Sequence, residues 1–172
     1  MTVTELAARV MLAVVFAVAA ISKCRSRATM TRFTAGLDDF VWLPARFRTP
    51  TAIGVVISEL AAVLLLFTLR EAGAALVLGL LVAFTVATVQ AGRAAACRCF
   101  SSATTPGTGS TAAFVTRNAL LAAAALAAGL LPGGAETLPV WGAAAGAGAI
   151  AGAVTIGWDE LVYLLGDSAT SA

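Results

Sequence analysis

Residues 51–69 read TAIGVVISELAAVLLLFTL, and the only charge among them is Glu59. A helix of that length rises about 28 Å, close to the hydrocarbon thickness of a bilayer. The next apolar stretch, GAALVLGLLVAFTVATVQ at 73–90, carries no charge at all. Two such segments in succession predict a helical hairpin across a membrane. Working outward, three more stretches meet or approach the same length. One runs from Val3 to Ser22, one from Thr111 to Leu131 and one from Leu138 to Trp158. The first has Glu5 and Arg9 near its outer end, where long side chains are expected to snorkel to the interface. Pro44, Pro50, Pro132 and Pro139 are expected to punctuate the breaks.

The composition agrees. Of 172 residues, 60% are hydrophobic and 12% charged, and the mean hydropathy is +0.94. A soluble domain carries roughly 25% charged residues, so this chain has too little polar surface to face water all round. The predicted fold class is an all-α polytopic transmembrane helix bundle, with four core spans and a fifth Gly/Ala-rich span. The fifth contains Gly142-x-x-x-Gly146 and Gly148-x-x-x-Gly152, spacings that permit close helix approach. The first span reads as retained rather than as a cleaved signal peptide. Its first charge is Glu5, and no basic segment precedes its apolar run.

The connection from Lys23 to Pro50 is the longest. Met30, Phe33, Leu37 and Phe40 recur in it at helical spacing, with Trp42 following and Arg32, Asp38 and Asp39 on the polar side. That pattern predicts an amphipathic helix in the membrane interface. Residues Cys99 to Ser110 are Ser, Thr, Gly and Pro with little apolar content and read as a loop. Lys23, Arg25, Arg27, Arg32, Arg46 and Arg48 share one face with Arg93 and Arg98, whereas Arg9 and Arg70 are alone on the other. The positive-inside rule then puts the first face in the cytoplasm of a multi-pass cell-membrane protein, with the N-terminus outside. No basic run with interleaved aromatics suggests a nucleic-acid partner.

The chain has no histidine, so its chemistry falls to cysteine and to polar groups within the membrane. Two spans separate Cys24 from Cys97 and Cys99, which predicts all three on one face. Cys97-Arg98-Cys99 is a C-x-C, and a disulfide across a single residue closes a very small ring of the labile, redox-active kind. Arg93 and Arg98 beside the pair favour the thiolate. Cys24 is likewise flanked by basic residues, Lys23 and Arg25. The candidate catalytic residues are therefore Cys97, Cys99 and Cys24. Glu59 lies about 12 Å into its span by the helical rise, where a lone carboxylate is usually paired or functional. Arg117 falls at similar depth and is its expected partner. Lys23, Glu59, Arg117 and Asn118 are the candidate lining of a polar pocket below the cysteines. A structural ion pair and plain helix-end cysteines are the alternatives.

Several features occur in a telling order. Ser22-Lys23 ends the first helix, then come Pro44, Glu59, Phe84, Cys97-x-Cys99-Phe100 and Arg117-Asn118. This order resembles the MauE branch of the DoxX-like membrane proteins over about residues 5 to 131. Arg98 and Ser101 stand where that family usually has glycines, and Cys24 stands where it usually has an apolar residue. The resemblance implies a four-helix membrane domain over 1–131, leaving 132–172 as the fifth span and a short polar tail. It also implies a redox-associated role, since the family is linked to maturation of methylamine dehydrogenase, whose small subunit needs disulfides. The expected function is membrane thiol–disulfide redox chemistry through the C-x-C, supporting disulfide exchange or maturation of a client or thioredoxin-like partner. A membrane quinone is a conceivable electron acceptor, although no residue in the sequence demands one. The alternatives are a non-catalytic assembly factor and a handler of small solutes or soft metals, with the C-x-C binding Cu(I).

Overall fold

A computed structural model describes residues 3–40, 43–91, 111–131 and 138–158. They form six α-helices and one 3-10 turn, with no strand among the described residues. The helices are α1 (Val3–Cys24), α2 (Arg27–Gly36), α3 (Ala45–Thr68), α4 (Arg70–Ala91), α5 (Thr111–Leu130) and α6 (Leu138–Ile156). Four of them are long and apolar enough to cross a membrane: α1, α3, α4 and α6. The apolar stretch Phe114–Leu130 of α5 is shorter. The chain is thus an all-α polytopic bundle, as its apolar pattern predicts.

Helix α1 packs on α3 and α5, and α4 packs on the same two, so four helices form a ring in the order α1, α3, α4, α5. Leu12, Val15 and Phe16 of α1 meet Leu66 of α3, Val77 and Leu81 of α4, and Leu121 of α5 in one buried core. Directions follow from contacts near the ends. Arg70 Nη1 lies 3.6 Å from Glu5 Oε1 and donates to the Leu131 carbonyl at 2.9 Å. The starts of α1 and α4 and the finish of α5 therefore share one end. Cys24, Ala91 and Thr111 share the other. The bundle is up-down-up-down.

The connection between α3 and α4 is a single residue, Leu69, and α4 begins at Arg70, three residues before the expected start. Gly73 makes the tight reversal possible, because a Cβ there would collide with the Leu65 and Leu66 backbone. Pro50 is a second departure. It sits inside α3 rather than before it. Proline lacks the N–H of a helical residue and its ring crowds the carbonyl four residues back, so at this second-turn position it gives up the bond to the Arg46 carbonyl.

Glu5 and Arg9 do not snorkel outward. Both are buried, and Arg9 Nη2 pairs with Glu5 Oε1 at 2.6 Å. Arg70 lies next to this pair, so charge partners in the bundle replace water at this end.

Helix α2 starts in a capping box. Ser26 Oγ accepts from Thr29 N at 3.1 Å, and Thr29 Oγ1 accepts from Ser26 N at 3.1 Å. Such a cap satisfies backbone donors that the first turn leaves open. The predicted amphipathic segment breaks after Gly36 into the 3-10 turn Leu37–Asp39. Met30, Phe33 and Phe40 pack around Leu37, Leu43 and Ala52. Its apolar side is thereby turned onto the bundle at the α3 entry. Trp42 lies outside the described residues.

Helix α6 lies outside the ring against α1 and runs parallel to it, since Gly148 meets Ala7 and Val10 while Gly152 meets Met11 and Val14.

Candidate functional site

Lys23 occupies the last turn of α1, one residue before Cys24. Its side chain turns back along the helix into the bundle. Nζ donates to Glu59 Oε1 at 2.6 Å and to the Ala19 carbonyl at 3.3 Å. Both partners of this ion pair are buried, Glu59 completely. The ammonium also lies 5.3 Å from the centre of the Phe33 ring, so α2 roofs the pair with an aromatic face. Glu59 Oε2 is buried and has no hydrogen-bond partner among the described residues.

The expected partnership of Glu59 with Arg117 is therefore corrected. Glu59 and Arg117 sit on α3 and α5, which are diagonal in the ring, and a neighbouring helix supplies the cation instead. Arg117 is buried on α5 with its guanidinium 5.3 Å from the Phe114 ring centre. Asn118, the next residue, faces α4 and donates to Thr85 Oγ1 at 2.9 Å, and Thr85 in turn donates to the Leu81 carbonyl at 2.7 Å. This polar chain ties α5 to α4.

Lys23 and Asn118 line the same cleft. Its walls are otherwise apolar: Phe16 from α1, Phe33 from α2, Phe84 from α4 and Phe114 from α5. The cleft is narrow, with an accessible volume of about 20 Å³, room for little more than one water molecule. It lies in the half of the bundle nearer Cys24, Ala91 and Thr111. Of the four polar candidates, the structure brings Lys23 and Asn118 to the cleft, sets Glu59 directly behind Lys23, and leaves Arg117 beside Phe114. Thr85 is a site residue that the sequence reading missed. A threonine in an apolar span is unremarkable until its neighbour is known. Phe33 was legible only as a member of an amphipathic stripe.

Cys24 is exposed at the end of α1. Cys97 and Cys99 lie outside the described residues. The connection that carries them leaves α4 at Ala91 and enters α5 at Thr111, both at the Cys24 end of the bundle.

No curated protein and no solved structure matches this chain. The family model for methylamine utilisation protein MauE matches residues 1–132. That match takes in the four-helix ring, the Lys23–Glu59 pair and the Cys97-x-Cys99 segment together, and the chain belongs to the MauE family of membrane proteins.

Proposed function

We propose that the protein is a membrane thiol–disulfide redox protein, a thiol–disulfide oxidoreductase in reaction type, that supports disulfide exchange in a client or thioredoxin-like partner. The observation that carries this reading is topological. An exposed Cys24 and both ends of the segment bearing Cys97 and Cys99 meet at one end of the bundle, above a buried ion pair. In the oxidising direction a partner thiolate attacks the Cys97–Cys99 disulfide, forming a mixed disulfide and releasing one thiolate. A second partner thiol then attacks the mixed disulfide, which leaves the partner with a disulfide and the protein with the Cys97, Cys99 dithiol. Run in reverse, a thiolate of the pair attacks a partner disulfide, and Cys24 attacks the resulting mixed disulfide at the protein's own sulfur, forming a disulfide to Cys24 and freeing the second partner thiol.

The order of steps makes a demand. With the resolving thiol gone, the mixed disulfide should persist. A Cys24→Ser variant is expected to accumulate a covalent complex on non-reducing gels that dissolves with reductant. The double variant Cys97→Ser, Cys99→Ser should form none. Full function in cells from all three single serine variants would make the cysteines structural and end the redox reading. A neutral Cys24→Ser beside inactive C-x-C variants would keep the pair and remove the relay.

Sidedness is a separate prediction. The excess of Lys and Arg on the cysteine face orients that face to the cytoplasm. A membrane-impermeant maleimide should then label Cys24 only after permeabilisation. Labelling in intact cells would reverse the orientation and set the thiols in the compartment where disulfides persist.

A further inference from the structure

Helix α2 and the start of α3 form a basic rim at the Cys24 end of the bundle. Residues 23–48 carry six Lys and Arg against two acids, Asp38 and Asp39. Two of the six are engaged: Lys23 holds Glu59 at 2.6 Å and Arg48 holds Asp38 at 2.6 Å. Arg25, Arg27, Arg32 and Arg46 are exposed, and none of them makes an ion pair among the described residues. We propose that this rim binds the headgroup of an anionic phospholipid whose acyl chain lies along the outer face of α3. Such a site stands apart from the thiol chemistry and holds whichever side of the membrane the cysteines occupy.

Depth along α3 sets the arginine at the right level. Arg46 precedes by five residues the apolar run that begins at Thr51. Five residues of helix rise about 7 Å, which puts Arg46 in the headgroup layer just outside the hydrocarbon. Its guanidinium lies 4.8 Å from the centre of the exposed Phe47 ring, so the cation rests on an apolar face at the membrane boundary. Beneath Arg46, at steps of seven, four, three and four residues, come Ile53, Ile57, Leu60 and Leu64. Those steps keep all five on one helix face. The four apolar side chains are 45%, 60%, 46% and 68% exposed, so no described helix covers them. Met30 and Phe33 seat α2 on the α3 entry, which brings Arg27 and Arg32 into the same layer as Arg46.

The combination of charge and stripe selects the occupant. A soluble acidic protein would meet the arginines and leave Ile53 and Ile57 bare. A zwitterionic lipid would cover the stripe and bring no net negative charge to the rim. An anionic phospholipid does both. Its phosphate accepts the N–H fork of an arginine, and its chain covers the isoleucines.

Spin-label EPR tests the site on the full chain in phosphatidylcholine bilayers. The probes are phosphatidylglycerol and phosphatidylcholine, each labelled near the end of one acyl chain. The motionally restricted fraction of each gives their relative association. Phosphatidylglycerol is expected to associate about fivefold more strongly, the effect of one basic residue at an anionic surface. The preference should fall at about 1 M salt, where the Debye length is about 3 Å. The quadruple variant Arg25→Gln, Arg27→Gln, Arg32→Gln, Arg46→Gln should bring the two lipids to parity, and lysine at the same four positions should keep the preference. All four side chains are exposed, and circular dichroism checks that helix content is unchanged. Phosphatidylglycerol with a diazirine in its acyl chain should crosslink to the α3 peptide 49–70, which trypsin releases by cutting after Arg48 and Arg70. Equal association of the two lipids with the natural protein overturns the site. A preference that survives the glutamine changes, or crosslinking confined to other helices, also overturns it. Displacement of labelled phosphatidylglycerol by a soluble polyglutamate peptide would assign the rim to an acidic protein and overturn the lipid site.

Discussion

Lys23→Met is expected to destabilise the protein by about 3–5 kcal/mol, because it strands the Glu59 carboxylate in the bundle. Glu59 is wholly buried, and Lys23 is its partner at 2.6 Å. The reverse change, Glu59→Leu, should cost less. Lys23 has a long stem at the end of α1 and can swing its charge toward the membrane face, whereas Glu59, in the body of α3, has no such escape. Combining the two should recover most of the loss, since an apolar pair of similar volume often replaces a buried ion pair at little cost. The measurement is SDS-driven unfolding in mixed micelles, followed by circular dichroism, for both singles and the double. If the double variant loses as much as the singles added together, the residues are not coupled. A parallel cycle on Glu59 and Arg117 should come out close to additive, as for side chains on helices that stand diagonally in the ring.

Gly148→Ala should destabilise the docking of α6 by about 1–3 kcal/mol, the usual range for overpacking. The added Cβ would collide with the Ala7 carbonyl, and it would come within 2.9 Å of Val10 Cβ and 3.1 Å of Met11 N. Two of those three atoms are α1 backbone, which cannot rotate away as a side chain tip can. Helix α6 must therefore shift off α1. Gly142→Ala is the matched control. Nothing lies within 4 Å of a Cβ at that position, so the change adds only helix propensity, up to about 1 kcal/mol in favour. Thermal unfolding of the two variants in the same detergent compares them directly. Equal behaviour at the two positions would mean that α6 is not seated on α1 through Gly148.

The contrast between Gly142 and Gly148 shows where sequence reading stops. Both belong to the same small-residue pattern on one helix. One faces α1 at backbone distance and the other faces open space. Glu59 makes the same point. Its depth in the second span was legible from the helical rise, and so was its need for a partner. The choice of Lys23 over Arg117 was not, because depth says nothing about which helix stands next in the ring. Lys23 looked like a residue of the connection until α1 continued through it and its stem folded inward. The cleft was invisible for the same reason, since its four aromatic residues come from four helices.

What the sequence determined by itself is everything that depends on position along the chain. That includes the all-α membrane class, the apolar segments, the alternation of their directions and the end at which Cys24 and the C-x-C segment enter. These follow locally, because a backbone in hydrocarbon must satisfy its own hydrogen bonds and does so one helix at a time. What only the tertiary structure decided is everything that depends on azimuth and neighbour: the ring order, the burial of Glu5 and Arg9, the Lys23–Glu59 pair and the Asn118–Thr85 link. A helix's rotation and its companions are set by the packing of all the helices at once, and van der Waals contact between small and large side chains carries no signature within any one segment.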